Sequence, residues 1–423
     1  MCGDCLPLYA ERGLIVGLAN AVVAETTGAR VYPVLSSKEE AVAAVRALLP
    51  GFAARAPETD RTGNVPAESI RELEDAGLFG VLTPKAYGGS ALGWEAFFSV
   101  VNEIGTVCGS TAWVFGVLTG HNHMLTRYPV EVQQDILSDP RNHVSVVFRL
   151  SDAWTATPTE GGYVITGGAG RFCSGVDYAK WVGINVVIDG GPNAGQMAFA
   201  MIEQSRIEKL DDWNVLGMRG TQSRSIVIEG VFVEEARVSL AMDLGGPPVG
   251  PAAQEAAFYE WPYFALAPFA IVGSPLGVAR GMIDLSVDSL KGKLKGCDDE
   301  IIAGRAAIFG RLSHAALDVE QATNLILADV RRIDEGRFGD MSPVDHARFR
   351  RDLAAAPQQA RGAANSMFES AGGSGIYEKS PLARMMRDVN AGAAHYAFTD
   401  DLSAPNYGRA LLGLPPAKTN TFV

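Results

Sequence analysis

The stretch Ala169–Gly175, which reads AGRFCSG, decides how the rest of the chain is interpreted. It lies in sequence of β-strand character and is followed by the apolar segment Trp181–Ile188. A second motif, Asp212–Thr221 (DWNVLGMRGT), comes later in the same region. Apolar and β-branched runs between Gly-rich turns are typical of short strands. We therefore predict that both motifs belong to one compact β domain of residues 144–244.

Four apolar runs indicate the strands of this domain. The run that begins at Ser225 is the most regular, because its residues alternate between two faces if they form one strand. Ser225, Val227 and Val231 then lie on one face, with Ile226 and Ile228 on the other. The predicted strands are Tyr163–Thr166, Trp181–Ile188, Met197–Ile202 and Ser225–Val233.

Helical patterns precede the β domain and define an N-terminal helical domain of residues 36–143. Ser37 is predicted to cap the first helix, Pro66 to open the second, and Ser110 to cap the helix that ends before His121. The other predicted helices are Ala67–Ala76, Trp94–Val107, Thr111–Thr119 and Val130–Leu137. Residues 1–35 do not fit this pattern, and we interpret them as a leader or extension of unknown role.

Helical sequence also follows the β domain. Gly245–Ala253 (GGPPVGPAA) predicts a flexible connection. Helical patterns then run from Phe264 to Leu412 with three breaks, which predicts a four-helix bundle within residues 245–423. The expected fold is therefore mainly α with a β middle domain.

Composition narrows the classes of partner. The chain has 423 residues, 47% hydrophobic and 20% charged, with a formal net charge of −12. This charge argues against nucleic acid and anionic membranes, because both attract basic surfaces. A small molecule or another protein is the expected partner.

Cysteine usage and apolar segments bear on the compartment. Five cysteines in a chain of this length fit a reducing environment, and the pair Cys2 and Cys5 cannot supply four zinc ligands. We therefore predict no metal site. The apolar run Trp261–Ala279 is interrupted by prolines, which favours a buried helix over a membrane span. A cytoplasmic protein is expected.

The order of helices, β domain and helices, together with the two motifs, resembles the acyl-CoA dehydrogenase superfamily over residues 36–416. Within it, the chain resembles the reduced-flavin-dependent aromatic hydroxylases. The resemblance implies an N-terminal helical domain, a small β-barrel or sandwich domain that contacts flavin, and a C-terminal four-helix bundle.

The resemblance also implies the flavin contacts. Phe172, Cys173 and Ser174 take the place where the family lays an aromatic and a hydroxyl residue against the isoalloxazine, and Trp213 and Thr221 belong to the loop beside it. Taken alone, the tripeptide could simply end a strand. Gln222 replaces a glycine that is common in this branch.

A Gly-rich turn implies contacts between subunits. Gly372 and Gly373 lie in the sequence AGGSG, which resembles a family turn that reaches the flavin of a neighbouring subunit. A homo-oligomer, with a tetramer favoured, would follow. The alternative is an ordinary helix C-cap.

Two departures separate the chain from the acyl-CoA dehydrogenases. Asp388–Tyr396 (DVNAGAAHY) lacks the Glu that serves as their base, and Phe148–Ala153 (FRLSDA) replaces their TEPxAGSD signature. This region instead resembles the oxygenase branch, and the resemblance rests on Asp388 and His395. Two helical turns would place these residues on one face of a helix.

Further residues complete the expected substrate site. His395 could act as an imidazolium that stabilises or protonates a peroxide, or as a neutral base toward a phenol. His121, at the end of a helix, is the second catalytic candidate, and Asp388 is the third. Ser145 and Phe148 are expected near the substrate. His143, His314 and His346 have no such context.

The expected function is the oxygenase component of a two-component flavin monooxygenase. It would take FMNH2 or FADH2 from a separate reductase, since the chain shows no nicotinamide-binding GxGxxG unit. It would form a C4a-hydroperoxyflavin with O2 and hydroxylate an aromatic, phenolic substrate. The alternatives are an acyl-CoA dehydrogenase or oxidase with a relocated base, an N-hydroxylating member of the branch, and a flavin-free scaffold protein.

Overall fold

A computed structural model describes residues 32–149 and 152–417. Residues 1–31, which hold most of the expected leader, lie outside the described residues. The first part of the chain is helical, as predicted. Its helices are α1 (Lys38–Thr62), α2 (Ala67–Asp75), α3 (Trp94–Gly105), α4 (Gly109–Gly120), α5 (Asn122–Leu125) and α6 (Val130–Leu137).

The starts of these helices test the capping predictions. Ser37 caps α1, because its side chain accepts the backbone N–H of Glu40 at 3.1 Å. The prediction for Ser110 is wrong: α4 begins one residue earlier, at Gly109, and Ser110 is buried inside its first turn. A Cβ at Gly109 would lie 2.9 Å from Val278 Cγ2, so close packing against the later bundle sets this start.

Within the described part of the chain, ten strands follow and form two sheets. The strands are β1 (Val144–Val147), β2 (Trp154–Thr159), β3 (Gly162–Thr166), β4 (Gly168–Cys173), β5 (Trp181–Ile188), β6 (Met197–Glu203), β7 (Glu208–Lys209), β8 (Arg224–Ile228), β9 (Val231–Glu234) and β10 (Val238–Leu240). The larger sheet has the order β10-β6-β5-β2-β3-β9, with β1 also parallel to β5. The smaller sheet is β4-β8-β7. A buried aliphatic core lies between them.

The predicted strand Ser225–Val233 is in fact two strands in different sheets. The chain turns at Gly230, which has φ +67°, so β8 belongs to the smaller sheet and β9 to the larger. The alternation of faces does not continue across the turn as one strand would require. Ile228 is buried before it, and Val231 is buried after it although the single-strand pattern put them on opposite faces.

The last part of the chain is a helical bundle, as predicted. Its helices are α7 (Ala241–Leu244), α8 (Tyr263–Leu266), α9 (Phe269–Leu294), α10 (Asp299–Ala303), α11 (Ala306–Asp334), α12 (Pro343–Ala371), α13 (Pro381–Ala393) and α14 (Asp400–Leu411). The segment Tyr263–Leu294 is long and apolar enough to cross a membrane, but 83% of its apolar window is buried inside the protein. Burial of this kind is typical of a core helix.

The predicted domain limits follow changes in secondary structure rather than separations in space. The helices of the first part end at Leu137 before β1, and the strands end at Leu240. The described residues from Tyr32 onward nevertheless form one compact unit. The segment expected to be a flexible connection is attached to the first helices, since Val249 N donates to Thr126 O at 2.8 Å. The limits 143/144 and 244/245 stay a prediction.

Candidate active site

A β-bulge near the end of β4 exposes Phe172. The pairing of β4 with β8 shifts its register between Gly170 and Cys173. Phe172 adopts φ +72° in the bulge, and 65% of its side-chain surface is exposed. A large aromatic side chain in a left-handed conformation and in solvent has no packing reason to be there. Gly170 permits the bulge to approach the larger sheet, because a Cβ there would lie 2.1 Å from Trp154 Cη2.

Backbone strain is concentrated around this bulge. Four non-glycine residues of the described ranges have left-handed φ values, and three of them are Phe172, Met218 (+56°) and Gln222 (+42°). Such residues cluster at ligand sites because the surrounding structure has to hold them. Gln222 therefore adopts the conformation that the glycine of the branch would take without strain.

Trp213 connects the two motifs that first indicated this site. Its ring meets Phe172 edge to face, with centroids 6.1 Å apart. Its indole Nε1 donates to Met218 O at 3.3 Å. The two motifs thus form one surface, on which the exposed Phe172 packs against the half-buried Trp213.

A row of hydroxyl groups lies beside that surface. Ser174 Oγ is 2.7 Å from Ser223 Oγ, which is 2.8 Å from Thr221 Oγ1, and Thr221 donates to Met218 O at 2.9 Å. Trp113 Nε1 donates to Ser174 Oγ at 3.3 Å from α4. Because Thr221 donates to a carbonyl, Ser223 donates to Thr221 and Ser174 donates to Ser223, which leaves Ser174 Oγ as an acceptor.

Cys173 turns away from this row. Its side chain is fully buried, its Sγ lies 3.2 Å from Ser145 Oγ, and burial raises the pKa of the thiol to about 12. Ser145 is also buried, and its hydroxyl donates to Ser174 O at 2.7 Å. Of the tripeptide, Phe172 and Ser174 offer side chains to a ligand, while Cys173 and Ser145 fix their backbone from within.

His395 does not share a helix face with Asp388, contrary to the prediction. Helix α13 ends at Ala393, because Gln358 of α12 donates to Ala393 O at 2.8 Å and to Phe398 O at 3.0 Å. His395 follows in a turn, where its ring meets that of Trp113 edge to face at 5.6 Å. This contact places His395 beside the hydroxyl row.

The protonation of His395 follows from its neighbours. Burial lowers the pKa of the imidazole to about 4, so the ring is neutral at neutral pH. Its Nδ1 accepts the backbone N–H of Ala397 at 3.3 Å. A neutral ring with an accepting Nδ1 carries its proton on Nε2. His395 thus has a hydrogen-bond donor at Nε2.

His121 is also neutral but has the opposite tautomer. It lies at the end of α4, and burial lowers the pKa of its imidazole to about 4. Its Nδ1 lies 2.8 Å from Val144 O, and a carbonyl can only accept, so Nδ1 carries the proton. His121 Nε2 is therefore an acceptor.

Asp388 supports the strained loop. Its Oδ1 accepts the backbone N–H of Met218 at 2.7 Å, and burial raises the pKa of its carboxyl to about 6 despite the nearby Arg384 guanidinium. The loop fits closely on α13, because a Cβ at Gly217 would lie 2.0 Å from Arg387 O. Among the described residues, the hydrogen bond and the ion pair of Asp388 join it to Met218 and Arg384 rather than to His395.

Phe148 belongs to an aromatic wall next to His121. Its ring centroid lies 5.5 Å from that of Phe199 and 6.4 Å from that of Phe264. Tyr263 joins the wall at 5.5 Å from Phe264 and meets the His121 ring at 6.4 Å. These apolar rings suit the ring of an aromatic ligand.

Gly372 and Gly373 lie apart from these contacts, in an exposed turn after α12. Gly372 is the C-cap of α12, but its φ of +61° and ψ of −150° lie outside the left-handed helical region that the C-cap alternative requires, and a Cβ at either glycine would meet nothing within 4 Å. Their expected contact with a neighbouring subunit's flavin stays a prediction. Within the described residues, no group of three His, Cys, Asp or Glu side chains could hold a metal ion.

Comparisons with known proteins agree with this architecture. Residues 37–137 match the family model described as the acyl-CoA dehydrogenase N-terminal domain, and residues 269–400 match the C-terminal domain. The oxygenase subunit HsaA of a flavin-dependent monooxygenase from Rhodococcus jostii is 30% identical over 88% of this chain and 98% of its own length. The chain belongs to the acyl-CoA dehydrogenase superfamily, in its flavin-dependent monooxygenase branch.

Other members of the branch extend the comparison. The oxygenase component of an FADH2-dependent resorcinol hydroxylase from Rhizobium is 27% identical over 86% of this chain and 92% of that protein. The crystal structure of the HsaA monooxygenase from Mycobacterium tuberculosis superposes with a TM-score of 0.81, at 27% identity, covering 91% of this chain and 100% of that one. These relatives favour the oxygenase expectation over the acyl-CoA dehydrogenase alternative.

The residues present fit the reduced flavin of this branch. An exposed Phe172 that packs on Trp213 offers an apolar contact to a planar ring, and the neutral hydroxyl row beside it offers hydrogen bonds. The sequence reasoning missed Trp113, which links His395 to Ser174, and Tyr263 and Tyr396 beside the two histidines. Tyr396 directly follows His395 in the sequence, which was an available signal, whereas Trp113 and Tyr263 gave none.

Proposed function

We propose that the chain is the oxygenase component of a two-component flavin monooxygenase and hydroxylates a phenolic ring. The observation that carries the proposal is a pair of neutral histidines with opposite hydrogen-bonding atoms, one of which, His395, lies beside the neutral hydroxyl row through Trp113. Reduced flavin, when bound, would supply the two electrons that activate O2, so that one oxygen atom of O2 goes to the phenol and the other leaves as water. The protein's residues hold the ring, orient the phenol and exclude water.

Flavin would bind along the surface of the two motifs. Phe172 and Trp213 would pack on the apolar edge of the ring. Ser174 would hydrogen-bond to its polar edge, because Trp113 and Ser223 fix the position of its hydroxyl from two sides. Thr221 and Asp388 would position this surface through Met218 rather than react.

The two histidines would form opposite hydrogen bonds with the phenol oxygen, one as acceptor and one as donor. His121 Nε2 can accept the phenol O–H, and His395 Nε2–H can donate to the same oxygen. Donation from His395 stabilises the ionised phenol, which is more nucleophilic at the ring carbons. Phe148 would line the pocket for the ring, and the buried Ser145 would hold Ser174 in place.

Reduced flavin would come from a separate reductase, as FMNH2 or FADH2, in the cytoplasm. We also propose a homotetramer, in which the turn of Gly372 and Gly373 reaches the flavin of a neighbouring copy. Large apolar side chains left exposed near the chain's end support burial against another copy. They are Ile376, Tyr377, Leu411 and Leu412. Light scattering would give the mass of the assembly.

Rapid mixing tests the flavin chemistry. Enzyme with reduced FMN, and separately with reduced FAD, is mixed with O2 while absorbance is followed. We expect a lag before oxidised flavin returns, shortened about tenfold or more in the Ser174→Ala variant, because a polar partner of the ring is lost. Reoxidation at the rate of free flavin with both cofactors would refute the proposal. Ser205→Ala, at an exposed serine, is the matched control.

A further inference from the structure

Three arginines occur close together on α12, and one of them lacks an acidic partner. Arg351 pairs with Asp352, and Arg348 Nη2 lies 3.8 Å from Asp345 Oδ1. Arg350, by contrast, has no carboxylate within ion-pair distance among residues 32–149 and 152–417. Its hydrogen bond is from Nη2 to the backbone oxygen of Phe264 at 3.3 Å.

The position of Arg350 connects it to the candidate substrate site. Phe264 belongs to the aromatic wall that also includes Phe148 and Tyr263. On the other side, the Tyr396 side chain lies near enough to Arg350 to affect the pKa of the guanidinium, and its ring centroid lies 4.6 Å from that of His395. Arg350 therefore lies between the aromatic wall and the turn that carries His395.

A guanidinium in this environment is incompletely satisfied. The side chain is half-buried, and burial lowers its pKa to about 10, which leaves it charged at neutral pH. A guanidinium has five N–H donors, and one of them is used by Phe264 O. The remaining N–H groups of this partly buried cation are available to an anionic ligand, which would pair with its charge.

We propose that Arg350 binds a carboxylate of the substrate, so that the preferred substrates are phenols with a carboxylate-bearing side chain. This inference rests on the proposed function and names the substrate class of the same site. The planar guanidinium can hold a carboxylate through two parallel hydrogen bonds. Anchoring the acid at Arg350 would orient the phenol ring along the aromatic wall, with its hydroxyl free to meet the histidines.

The test compares phenols that differ only in charge. p-Hydroxyphenylacetate and p-hydroxyphenylpropanoate are titrated into the full-length, flavin-free protein by calorimetry, each beside its uncharged carboxamide. We expect at least one acid to bind more tightly than its amide. In the Arg350→Gln variant, we expect the affinity for that acid to fall about 10- to 100-fold, with less than about a twofold change for the amide.

Two further variants control for structure and charge. Arg350→Lys keeps the charge without the planar fork, and we expect it to recover part of the preference. Arg361→Gln makes the same change at a half-buried arginine about three turns along the same helix, and should leave both affinities as they are. The inference is overturned if no acid binds better than its amide, or if Arg350→Gln weakens acid and amide equally.

The two proposals fail in distinguishable ways. Binding is measured without flavin, whereas the proposed function is tested by the lag in flavin reoxidation. A normal lag without any preference for acids would remove the assignment of Arg350 alone. A preference for acids without any lag would remove the monooxygenase chemistry and leave a carboxylate-binding site.

Discussion

His121 and His395 are both neutral imidazoles, but the backbone groups around them differ. Each imidazole is neutral because burial lowers its pKa to about 4. His121 ends a helix of the first part of the chain and meets a carbonyl of β1, whereas His395 lies in a turn of the bundle and meets a backbone N–H. The backbone group at Nδ1 therefore decides what Nε2 can do. The same residue type gives an acceptor in one region and a donor in the other.

Loss of the donor should have the largest effect. We expect His395→Ala to lower the yield of hydroxylated product about 100-fold while flavin oxidation continues, so that hydrogen peroxide is released instead. His395→Gln retains a side-chain N–H donor and should recover part of the yield. Product and peroxide are measured together by chromatography and a peroxidase assay. Equal losses in the two variants would contradict a donor role.

A phenol whose ionisation can be followed by absorbance distinguishes the donor His395 from the acceptor His121. Bound p-nitrophenol is titrated by absorbance in the flavin-free protein. We expect His395→Ala to raise the pKa of the bound phenol by about one unit, because the donor to the phenolate is lost. His121→Ala should lower it by a similar amount, because the acceptor of the phenol proton is lost. Shifts of the same sign in both variants would show that the tautomers are not opposed.

The smallest expected effect is on stability. Because the folded protein holds both imidazoles near pKa 4, their contribution is complete above the unfolded pKa of about 6.5 and is lost as pH falls toward 4. We expect His395→Gln to reduce the loss in the free energy of unfolding over this range by on the order of 1 kcal/mol. Denaturant titrations at several pH values measure it. His314→Gln, at an exposed histidine, should leave the slope as it is.

Local patterns predicted most of the elements and failed where distant contacts decide. The limits of β5 and α6 follow from apolar runs and an N-terminal proline that the sequence displays directly. The end of α13 does not, because Gln358 of another helix takes the carbonyl that a continuing helix would have used. The division of residues 225–233 into two strands could have been predicted from the sequence, because Gly230 marks the turn.

The site was predictable in its motifs but not in its contacts. Phe172, Ser174 and Thr221 were recognisable from AGRFCSG and DWNVLGMRGT, whose spacing is a property of the chain. Trp113 and Arg350 were not, because each reaches the site from a helix with no motif of its own. The tautomers of the histidines depend on single backbone atoms, which only the folded structure brings to them.

The attachment of the DWNVLGMRGT loop to α13 limits how this protein can be rebuilt. Asp388 holds Met218 N, and the Arg387 side chain donates to Leu216 O and pairs with Asp60 of α1. A chimera that takes only the β domain from a relative would carry that relative's loop, which fits the relative's own helix rather than α13 of this protein. Successful exchange between relatives would have to move the loop and α13 together, although some 170 residues of sequence separate the partners. These two segments are distant in sequence but have to be exchanged as one structural unit.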